Sequence, residues 1–431
     1  MAYTGLYLTH EHMKKKLDIN DLAVGMFVSE LDRPWIETPF LFQGFRITNE
    51  AELNKLVELC KFVFVDVEKS KVPITKGTVM ASEPEMKIDL TRKPKPYVKT
   101  FEEEYEYAKK VYKDSQSRVN KFFGDTRTGK NIVMTEVSSS VSPLVDSIFR
   151  NPNTLTLFSN IKASNENLET HSINTCVLSL TFARHLGFDK TKMYELGVAA
   201  LLHDIGETQI PEEILNKRGN LTSKEREILH SHCNLGSAML SKVNGIPHSA
   251  ISVAQHHHER TNESGYPSKL SGEDIGLFSK IVAVIDTYDT LTTGQSNQPP
   301  ITCSDALKHM YEWRNDLFDP TIVEQFIQCL GIYPIGSAVK LSTGETGIVI
   351  TVPEKNRLSP SVMLIKNAKN QTFLPPRIVN IAMINEAAEK TENEDGELYE
   401  PLEITKVIDP TAFDMDLKNF VLRELSMGQP A

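Results

Sequence analysis

The sequence predicts a multidomain protein with an all-α helical bundle in the centre, a small α/β domain before it and a small β-barrel-like appendage after it. Three observations predict this class. The chain has 431 residues, more than one ordinary core accommodates, so two or three domains are expected. From about residue 170 to 330, apolar residues recur every three or four positions, which is the helical period. After Tyr333, short β-type runs alternate with Gly, Pro and Asn turns.

Changes in composition along the chain predict the domain boundaries. Residues 68–100 are rich in Lys, Pro and Thr, which is typical of a linker, and residues 386–400 are acidic and polar, which is typical of a mobile segment. We expect five segments: an α/β domain at 15–70, a linker with connecting helices at 71–150, a helical domain at 151–332, a β appendage at 333–385, and an acidic segment with a C-terminal tail at 386–431.

Periodicity predicts the individual elements within these segments. Strands are expected at 24–31, from 46, and at 62–67, then in the C-terminal part at 338–341, 347–352, 362–365 and 378–381. Helices are expected at 101–123, 141–149, 177–186, 194–202, 251–254, 281–291 and 413–425. Helix starts are predicted from the capping pairs Asn49/Glu52 and Thr222/Glu225, from Ser304, and from Asp319-Pro320.

The composition excludes several functions. A formal charge of −10 argues against a nonspecific binder of nucleic-acid polymers or anionic membranes, but bound metals can still create a site for a small anion. The five cysteines are scattered without a Cys-x-x-Cys, so we expect a reducing compartment and neither a disulfide framework nor a Cys-type zinc site. The sequence has neither an apolar membrane span nor a signal-peptide core, so a cytoplasmic location is expected.

The histidines indicate a site. Nine of the twelve fall between His171 and His258, a concentration that an even scatter would not give. Imidazoles mixed with carboxylates suit hard or borderline divalent cations such as Fe or Mn better than a thiolate zinc site does. The candidate ligands are His171, His203, Asp204, His232, His257, His258 and Asp286.

Simpler interpretations of the paired residues stay open. His203-Asp204 end a predicted helix, where the Asp could bridge two metals while the His binds one. Alternatively, the His interacts with the helix dipole and the Asp caps the next segment. His257-His258 belong to a run of three histidines that could equally be a solvated surface patch.

The remaining candidates also have structural alternatives. Asp286 lies in an apolar stretch, so it is expected to be buried and to need a partner, either a metal or a hydrogen-bond network. Asp289 is expected to support the site rather than to bind a metal. His171 alone would be a capping or core histidine, and nothing in the residues alone favours His232 over His230.

Beyond single residues, a series of motifs occurs in a fixed order. They are His203-Asp204-Ile205-Gly206, Ile210-Pro211, Ile214-Leu215-Asn216-Lys217, His232 with Gly236, His257-His258-Glu259-Arg260, Gly265-Tyr266-Pro267 and Asp286-Thr287-Tyr288-Asp289. This order and spacing resemble the HD-GYP domain, a bacterial branch of the HD phosphohydrolases that acts in signalling. Residues 25–28, 31–35 and 39–45 resemble the domain that often precedes it.

The resemblance implies a phosphodiesterase that hydrolyses cyclic di-GMP to pGpG and/or GMP with two or three metal ions, usually iron or manganese. All seven candidates above would be ligands. Asp204 would bridge the metals and act catalytically with His203, and a metal-bridging hydroxide would attack phosphorus in line. The loop Gly265-Tyr266-Pro267 and Arg260 would contact the substrate, or the loop would contact a partner domain.

Four positions depart from the pattern of the family. Glu207 replaces a lysine expected to hold a phosphate, and Glu263 replaces a glycine. Residues 294–300 replace an Arg-Pro-Tyr-Arg stretch with two cationic phosphate contacts, and Asn167 replaces a glutamate that some members provide. The last change favours two metals over three.

The sequence is therefore compatible with three functions. The first is the phosphodiesterase. The second is a weak or inactive module that binds cyclic di-GMP or docks a signalling partner such as a diguanylate cyclase. The third is a phosphohydrolase for another nucleotide. A homodimer is left open.

Overall fold

The computed structural model describes part of the chain in detail. The described residues are 14–32, 45–66, 70, 72, 78–79, 96–161, 167–217, 219–294, 299–353, 358–388, 401–413, 415 and 417–427. The chain divides into two compact units, Met1–Asp89 and Leu90–Ala431. No helix of the described residues combines the length and the apolar character needed to cross a membrane.

Among its described residues, the first unit has an antiparallel sheet of five strands and one α-helix. The elements are β1 (Lys14–Asp18), β2 (Phe27–Leu31), β3 (Phe45–Arg46), α1 (Glu50–Leu59), β4 (Phe62–Asp66) and β5 (Thr78–Val79), and the strand order is β3-β2-β4-β1-β5. Val28, Leu56 and Val63 are fully buried in its core. Asn49 caps α1 by accepting a hydrogen bond from the backbone of Glu52, as its spacing predicts.

The second unit contains the predicted helical bundle. Its helices are α2 (Phe101–Arg127), α3 (Met134–Arg150), α4 (Pro152–Asn160), α5 (Leu168–His185), α6 (Lys190–Leu201), α7 (Glu212–Leu215), α8 (Ser223–His230), α9 (His232–Leu240), α10 (His248–His256), α11 (Leu277–Thr293), α12 (Cys303–Trp313) and α13 (Pro320–Leu330). A 3-10 helix, Ile205–Gln209, follows α6. The helical centre is therefore confirmed.

Helices α2 and α3 are part of the helical bundle and not only a connection between domains. They pack against each other and against α4 and α5, and they bury Tyr105, Phe123, Leu144 and Ile148. Both helices lie in the same compact unit as the bundle. The predicted boundary at residue 150 therefore falls inside one compact unit, and the five-segment division stays a prediction.

An antiparallel sheet follows the bundle. It consists of β6 (Ala338–Leu341), β7 (Thr346–Thr351), β8 (Ser361–Lys366), β9 (Thr372–Asn380) and β10 (Ile404–Val407), in the order β10-β6-β7-β8-β9. Within the described residues β9 and β10 are the two edges and do not pair, so the sheet is open and a barrel is not shown. Two further helices are α14 (Ile381–Ala388) and α15 (Leu417–Met427).

Some predicted element ends were wrong. Helix α12 is capped by Thr302, whose hydroxyl accepts from the backbone of Asp305, and not by Ser304, which lies within the helix. The predicted strand at 378–381 begins earlier, in β9, and Ile381 already starts α14. Most of the acidic segment lies outside the described residues.

Candidate metal centre

The structure brings the seven predicted ligands together from five parts of the bundle. Each ligand lies in or beside the end of a helix, except Asp286, which lies within α11. The placements are His171 in the first turn of α5, His203 and Asp204 after α6, His232 at the start of α9, His257 and His258 after α10, and Asp286 in α11. Two of them are slightly accessible, with side-chain exposures of 17% for His171 and 20% for His258.

Two glycines allow the segment after Asp204 to approach α9. A Cβ built on Gly206 would lie 2.0 Å from the carbonyl oxygen of His232 and 2.6 Å from the backbone nitrogen of Gly236. A Cβ on Gly236 would lie 3.3 Å from the backbone nitrogen of Gly206. Backbone therefore packs on backbone here, which brings the Asp204 carboxylate beside the His232 ring.

The Asp204 carboxylate lies between two groups of side chains. Its Oδ1 is 3.1 Å from Nε2 of His257 and 3.3 Å from Nε2 of His232. Its Oδ2 is 3.1 Å from Nε2 of His203 and 3.7 Å from Nε2 of His171. We call these the Oδ1 side and the Oδ2 side of the centre. This is the arrangement that a carboxylate bridging two cations requires.

Asp286 completes the Oδ2 side. Its Oδ1 lies 3.2 Å from Nε2 of His171 and 4.0 Å from Nε2 of His203. Its Oδ2 lies 3.9 Å from Nδ1 of His258. His258 also has a ring nitrogen within 4.8 Å of ligand atoms of His232 and His257, on the Oδ1 side. His171, His203 and Asp286 have ligand atoms within 4.8 Å of one another, so they could share one ion.

Backbone carbonyls fix the orientation of three of the imidazoles. Nδ1 of His203 lies 2.8 Å from the carbonyl of Ala200, that of His232 lies 2.7 Å from Leu229, and that of His257 lies 2.9 Å from Val253. A carbonyl only accepts, so each Nδ1 carries a proton and donates it. In the neutral ring Nε2 then keeps a lone pair, and all three lone pairs face Asp204.

These residues fit metal ions. The buried atoms Nε2 of His203 and Oδ1 of Asp204 have no hydrogen-bond partner. Lone pairs that face a carboxylate oxygen at 3.1–3.3 Å need a proton or a cation between them. Neutral imidazoles oriented through Nδ1 together with carboxylates are the donor set that borderline divalent cations take in proteins. The cluster could therefore hold metal ions.

Asp289 supports the Oδ2 side, as its position in the sequence predicts. Its Oδ2 lies 2.8 Å from Nδ1 of His171, and its side chain is fully buried. A carboxylate behind a ligating imidazole fixes the ring orientation and raises its basicity. His171 thus has a carboxylate behind it, where the rings of His203, His232 and His257 have carbonyls.

The charges of the centre shift its pKa values. Burial disfavours protonated His232, but Asp204 and Cys233 together outweigh it and hold the pKa of His232 well above its usual value. For His257 burial is the larger effect, and the pKa of this ring is lowered. Burial, with the negative charge of Asp204, raises the pKa of Glu207 to about 7. Protons and cations thus compete for the same lone pairs.

Tyr266 covers the centre as one layer of an aromatic stack. Its ring lies 3.7 Å from the ring of His230 at an interplanar angle of 5°, and 4.7 Å from the ring of His258 at 30°. The predicted ligand His258 is therefore covered by a tyrosine that is itself covered by His230. The sequence alone does not indicate this role of His230, because its partner Tyr266 lies 36 positions away and no spacing rule connects the two.

The loop that carries Tyr266 is held in place by close packing at Gly265 and by hydrogen bonds to the carboxylate of Glu259. A Cβ on Gly265 would lie 2.5 Å from Cα of Glu259, so only glycine fits there. The carboxylate of Glu259 accepts hydrogen bonds from the backbone nitrogens of Ser268, at 2.6 Å, and Leu270, at 3.1 Å. These bonds fix the chain just after Pro267, so all three residues of the predicted substrate loop lie in one anchored turn.

Arg260 brings a cation to the same loop. Its guanidinium donates to the carbonyls of His257 and Glu259 at 3.2 and 2.9 Å and lies over the ring of Phe318. Burial lowers its pKa, while the charge of Asp286 acts in the opposite direction. Arg260 is therefore close enough to the centre to interact electrostatically with it.

The departures from the family pattern have visible consequences. Glu207 lies partly buried in the 3-10 helix, at the wall of the centre. Asn167 caps α5 by accepting from the backbone of Thr170 at 3.0 Å, so an amide stands where a carboxylate would be. Glu263 has a φ of +63°, a conformation that glycine adopts more easily. Residues 295–298 lie outside the described part.

Fold and site together define a class: a helical bundle with a buried centre of imidazoles and carboxylates able to hold metal ions. The family model of the HD domain matches residues 156–322, and that of a domain of unknown function (DUF3391) matches residues 14–137. The chain is 31% identical over 371 residues to the cyclic di-GMP phosphodiesterase PA4108 of Pseudomonas aeruginosa, which covers 86% of this chain and 89% of the relative. The chain belongs to the HD-GYP family of HD-domain proteins.

Two further relatives match the bundle region. A cyclic di-GMP phosphodiesterase of Thermotoga maritima is 34% identical over 172 residues, which cover 39% of this chain and 47% of the relative. A 3′3′-cGAMP-specific phosphodiesterase 2 of Vibrio cholerae is 32% identical over 131 residues, which cover 30% of this chain and 25% of the relative. The resemblance seen in the motifs is thus confirmed.

Proposed function

We propose that the protein is a metal-dependent phosphodiesterase that hydrolyses cyclic di-GMP to pGpG and/or GMP. The observation that carries the proposal is the Asp204 carboxylate, each oxygen of which faces two imidazole Nε2 atoms. A relative that matches most of the chain bears the name of this activity. A phosphohydrolase for another nucleotide would use the same centre, and the name of this relative favours cyclic di-GMP over that alternative.

The proposed ligands of two divalent cations, Fe or Mn, are the seven predicted residues. His232 and His257 would hold one ion, and His171, His203 and Asp286 the other, with Asp204 shared between them. His258 lies within reach of the first ion and of Asp286. Bound ions supply Lewis-acid polarisation of the phosphoryl group and a water of lowered pKa.

The residues around the centre would bind and orient the substrate. The half-buried guanidinium of Arg260 would provide positive charge for a phosphodiester beside the centre. The flat face of the stack formed by Tyr266 and His230 suits a planar base. The anchored loop holds the ring of Tyr266 over His258, which restricts the access of water to that side of the centre.

A binding module without catalysis is the weaker hypothesis. Glu207 and the sequence at 294–300 remove cationic contacts that the family pattern contains, so substrate affinity is expected to be lowered. The same changes leave all seven candidate ligands in place, and a module that only binds nucleotide needs no bridging carboxylate. We therefore assign the effect of Glu207 to affinity rather than to loss of turnover.

The proposal is tested with the full-length protein loaded anaerobically with Fe(II) or Mn(II). Cyclic di-GMP, 3′3′-cGAMP and cyclic di-AMP are incubated separately, and the products are separated by chromatography. We expect hydrolysis of cyclic di-GMP, and loss of activity by more than about 100-fold in Asp204→Asn together with lower metal content. The exposed Asp114→Asn serves as the matched control.

Two outcomes would contradict the proposal. Tight binding of metal without hydrolysis of any of the three dinucleotides would select the binding module. Hydrolysis of 3′3′-cGAMP alone would keep the chemistry and change the substrate. This assay does not test three further predictions: that the protein docks a diguanylate cyclase, that it forms a homodimer, and that it is cytoplasmic.

A further inference from the structure

The thiol of Cys233 lies in the candidate metal centre, although Cys233 is not one of the seven predicted ligands. It is the second residue of α9 and is fully buried. Its Sγ lies 3.3 Å from Nε2 of His232. The Sγ and one ring nitrogen each of His232, His257 and His258 all lie within 4.8 Å of one another.

A second observation points to a ligand at this place. Oδ1 of Asp204, a side chain only 9% exposed, has no hydrogen-bond partner and is directed between Nε2 of His232 and Nε2 of His257. When the two rings are neutral, both nitrogens present their lone pairs on this side, because each Nδ1 donates to a backbone carbonyl. The nitrogens of His232 and His257 thus lie beside Oδ1 of Asp204, and both residues also belong to the group of donor atoms that contains the sulfur.

The spacing of these atoms matches that of donors around one ion. With metal–nitrogen and metal–sulfur bonds of about 2.1 and 2.3 Å, a tetrahedral ion separates two nitrogens by about 3.4 Å and a nitrogen from a sulfur by about 3.6 Å. The distance between Nε2 of His232 and Nε2 of His257 is 3.4 Å, and that from Nε2 of His232 to Sγ of Cys233 is 3.3 Å. Only small adjustments of the thiol are needed.

We propose that Cys233 is a thiolate ligand of the ion on the Oδ1 side, which it binds together with Asp204, His232 and His257. The inference rests on the metal centre of the proposed function. On binding, the S–H proton leaves to solvent and a bond forms between sulfur and the metal, because a coordinating thiol is deprotonated. The Oδ2 side, with His171, His203 and Asp286, has only nitrogen and oxygen donors.

A soft donor changes which metals the Oδ1 side prefers. Thiolates favour Zn(II), Co(II) and Fe(II), whereas sites with nitrogen and oxygen donors accept Mn(II) more readily. The centre is therefore expected to be asymmetric. When Zn(II) and Mn(II) compete for it, zinc occupies the Oδ1 side first. This preference is absent if Cys233 only donates its S–H to Nε2 of His232.

X-ray absorption at the metal edge of the zinc- or cobalt-loaded protein tests the inference. We expect a sulfur scatterer at about 2.3 Å from one ion, and in the Co(II) protein a sulfur-to-cobalt charge-transfer band in the near ultraviolet. Both signals are lost in Cys233→Ser and persist in the matched control Cys329→Ser. The ratio of the zinc and manganese affinities falls by about 10-fold or more in Cys233→Ser.

The outcomes separate this inference from the proposed function. Bound metal without a sulfur scatterer in the wild-type protein overturns the role of Cys233 and leaves the centre intact. Absence of bound metal overturns both. If Cys233→Ser does not fold, replacement of each of the other four cysteines in turn decides the assignment. The sulfur signal must survive all four replacements, and its loss in any one of them assigns the sulfur elsewhere.

Discussion

The two sides of Asp204 use the same residue type in different surroundings. On the Oδ1 side, His232 and His257 are oriented by backbone carbonyls, and the thiol of Cys233 lies beside them. On the Oδ2 side, His171 is oriented by the buried carboxylate of Asp289, and Asp286 adds a second negative charge. One carboxylate thus joins a side that has a sulfur atom beside its imidazoles to a side that has a second carboxylate beside its imidazoles.

The difference teaches how one centre could bind two cations of unequal character. On the Oδ2 side, the carboxylate of Asp286 and that of Asp289 behind His171 strengthen the electrostatic attraction for a hard ion. On the Oδ1 side, a sulfur donor favours a softer ion. The helix that supplies each group explains the contrast. Helix α11 places Asp286 and Asp289 three residues apart, on the same face, whereas α9 begins with His232 and Cys233.

The largest effect is expected from removing one side at a time. His232→Ala should lose the ion of the Oδ1 side and His171→Ala that of the Oδ2 side, so each variant keeps about one ion where the wild type binds about two. Hydrolysis should fall by more than about 100-fold in both. Metal analysis of the dialysed proteins measures this, with the surface variant His309→Ala as control. Loss of both ions in either variant would show that the sides are not separable.

A smaller effect is expected from Asp289→Asn, which removes the charge behind His171 and keeps the shape. The affinity of the Oδ2 side should fall by about 10- to 100-fold, while the Oδ1 side is unaffected. Metal titration that resolves the two ions is the appropriate measurement, and Asp305→Asn on α12 is the control. An equal weakening of both sides would contradict the comparison.

The seven candidate ligands could be predicted from the sequence, because the order and spacing of the motifs resemble those of a known family. The sequence alone predicts His203-Asp204, at a helix end, and Asp286, in an apolar stretch, as candidate ligands. It also predicts that Asp289 supports the site. Periodicity also predicts the helical centre, three strands of the first sheet and four of the second, whereas β1, β5 and β10 were not expected. These signals are local, and each lies within a few residues of a recognisable helix end or turn.

The rest depended on contacts between residues distant in sequence. The stack of Tyr266 on His230 requires the anchored loop, and the approach of Gly206 to Gly236 requires two segments to meet backbone to backbone. Cys233 received no role because scattered cysteines argue against a Cys-type zinc site. That rule concerns pairs of cysteines, and it does not apply to a single thiol beside imidazoles.

Glu207 allows a test that concerns the substrate rather than the metals. Its carboxyl is close enough to the centre for the charge of Asp204 to affect it, and its pKa is raised to about 7. Above that pH, where the carboxyl is ionised, we expect it to repel an approaching phosphodiester. Glu207→Lys should lower KM for cyclic di-GMP on the order of 10-fold, with a smaller change in kcat. Glu207→Gln, which only removes the charge, should give an intermediate KM. A higher KM in the lysine variant would mean that the carboxyl assists binding.

The smallest effect is expected from His230, whose ring stacks on that of Tyr266. Loss of an aromatic stacking partner costs about 0.5–1.5 kcal/mol, so His230→Ala should raise KM by about 2- to 10-fold. Metal content and kcat should stay unchanged, because His258 keeps its position under Tyr266. His230→Phe keeps a flat ring at 230 and should restore the wild-type KM. If the phenylalanine variant behaves like the alanine variant, the imidazole itself contacts the substrate and stacking is not its role.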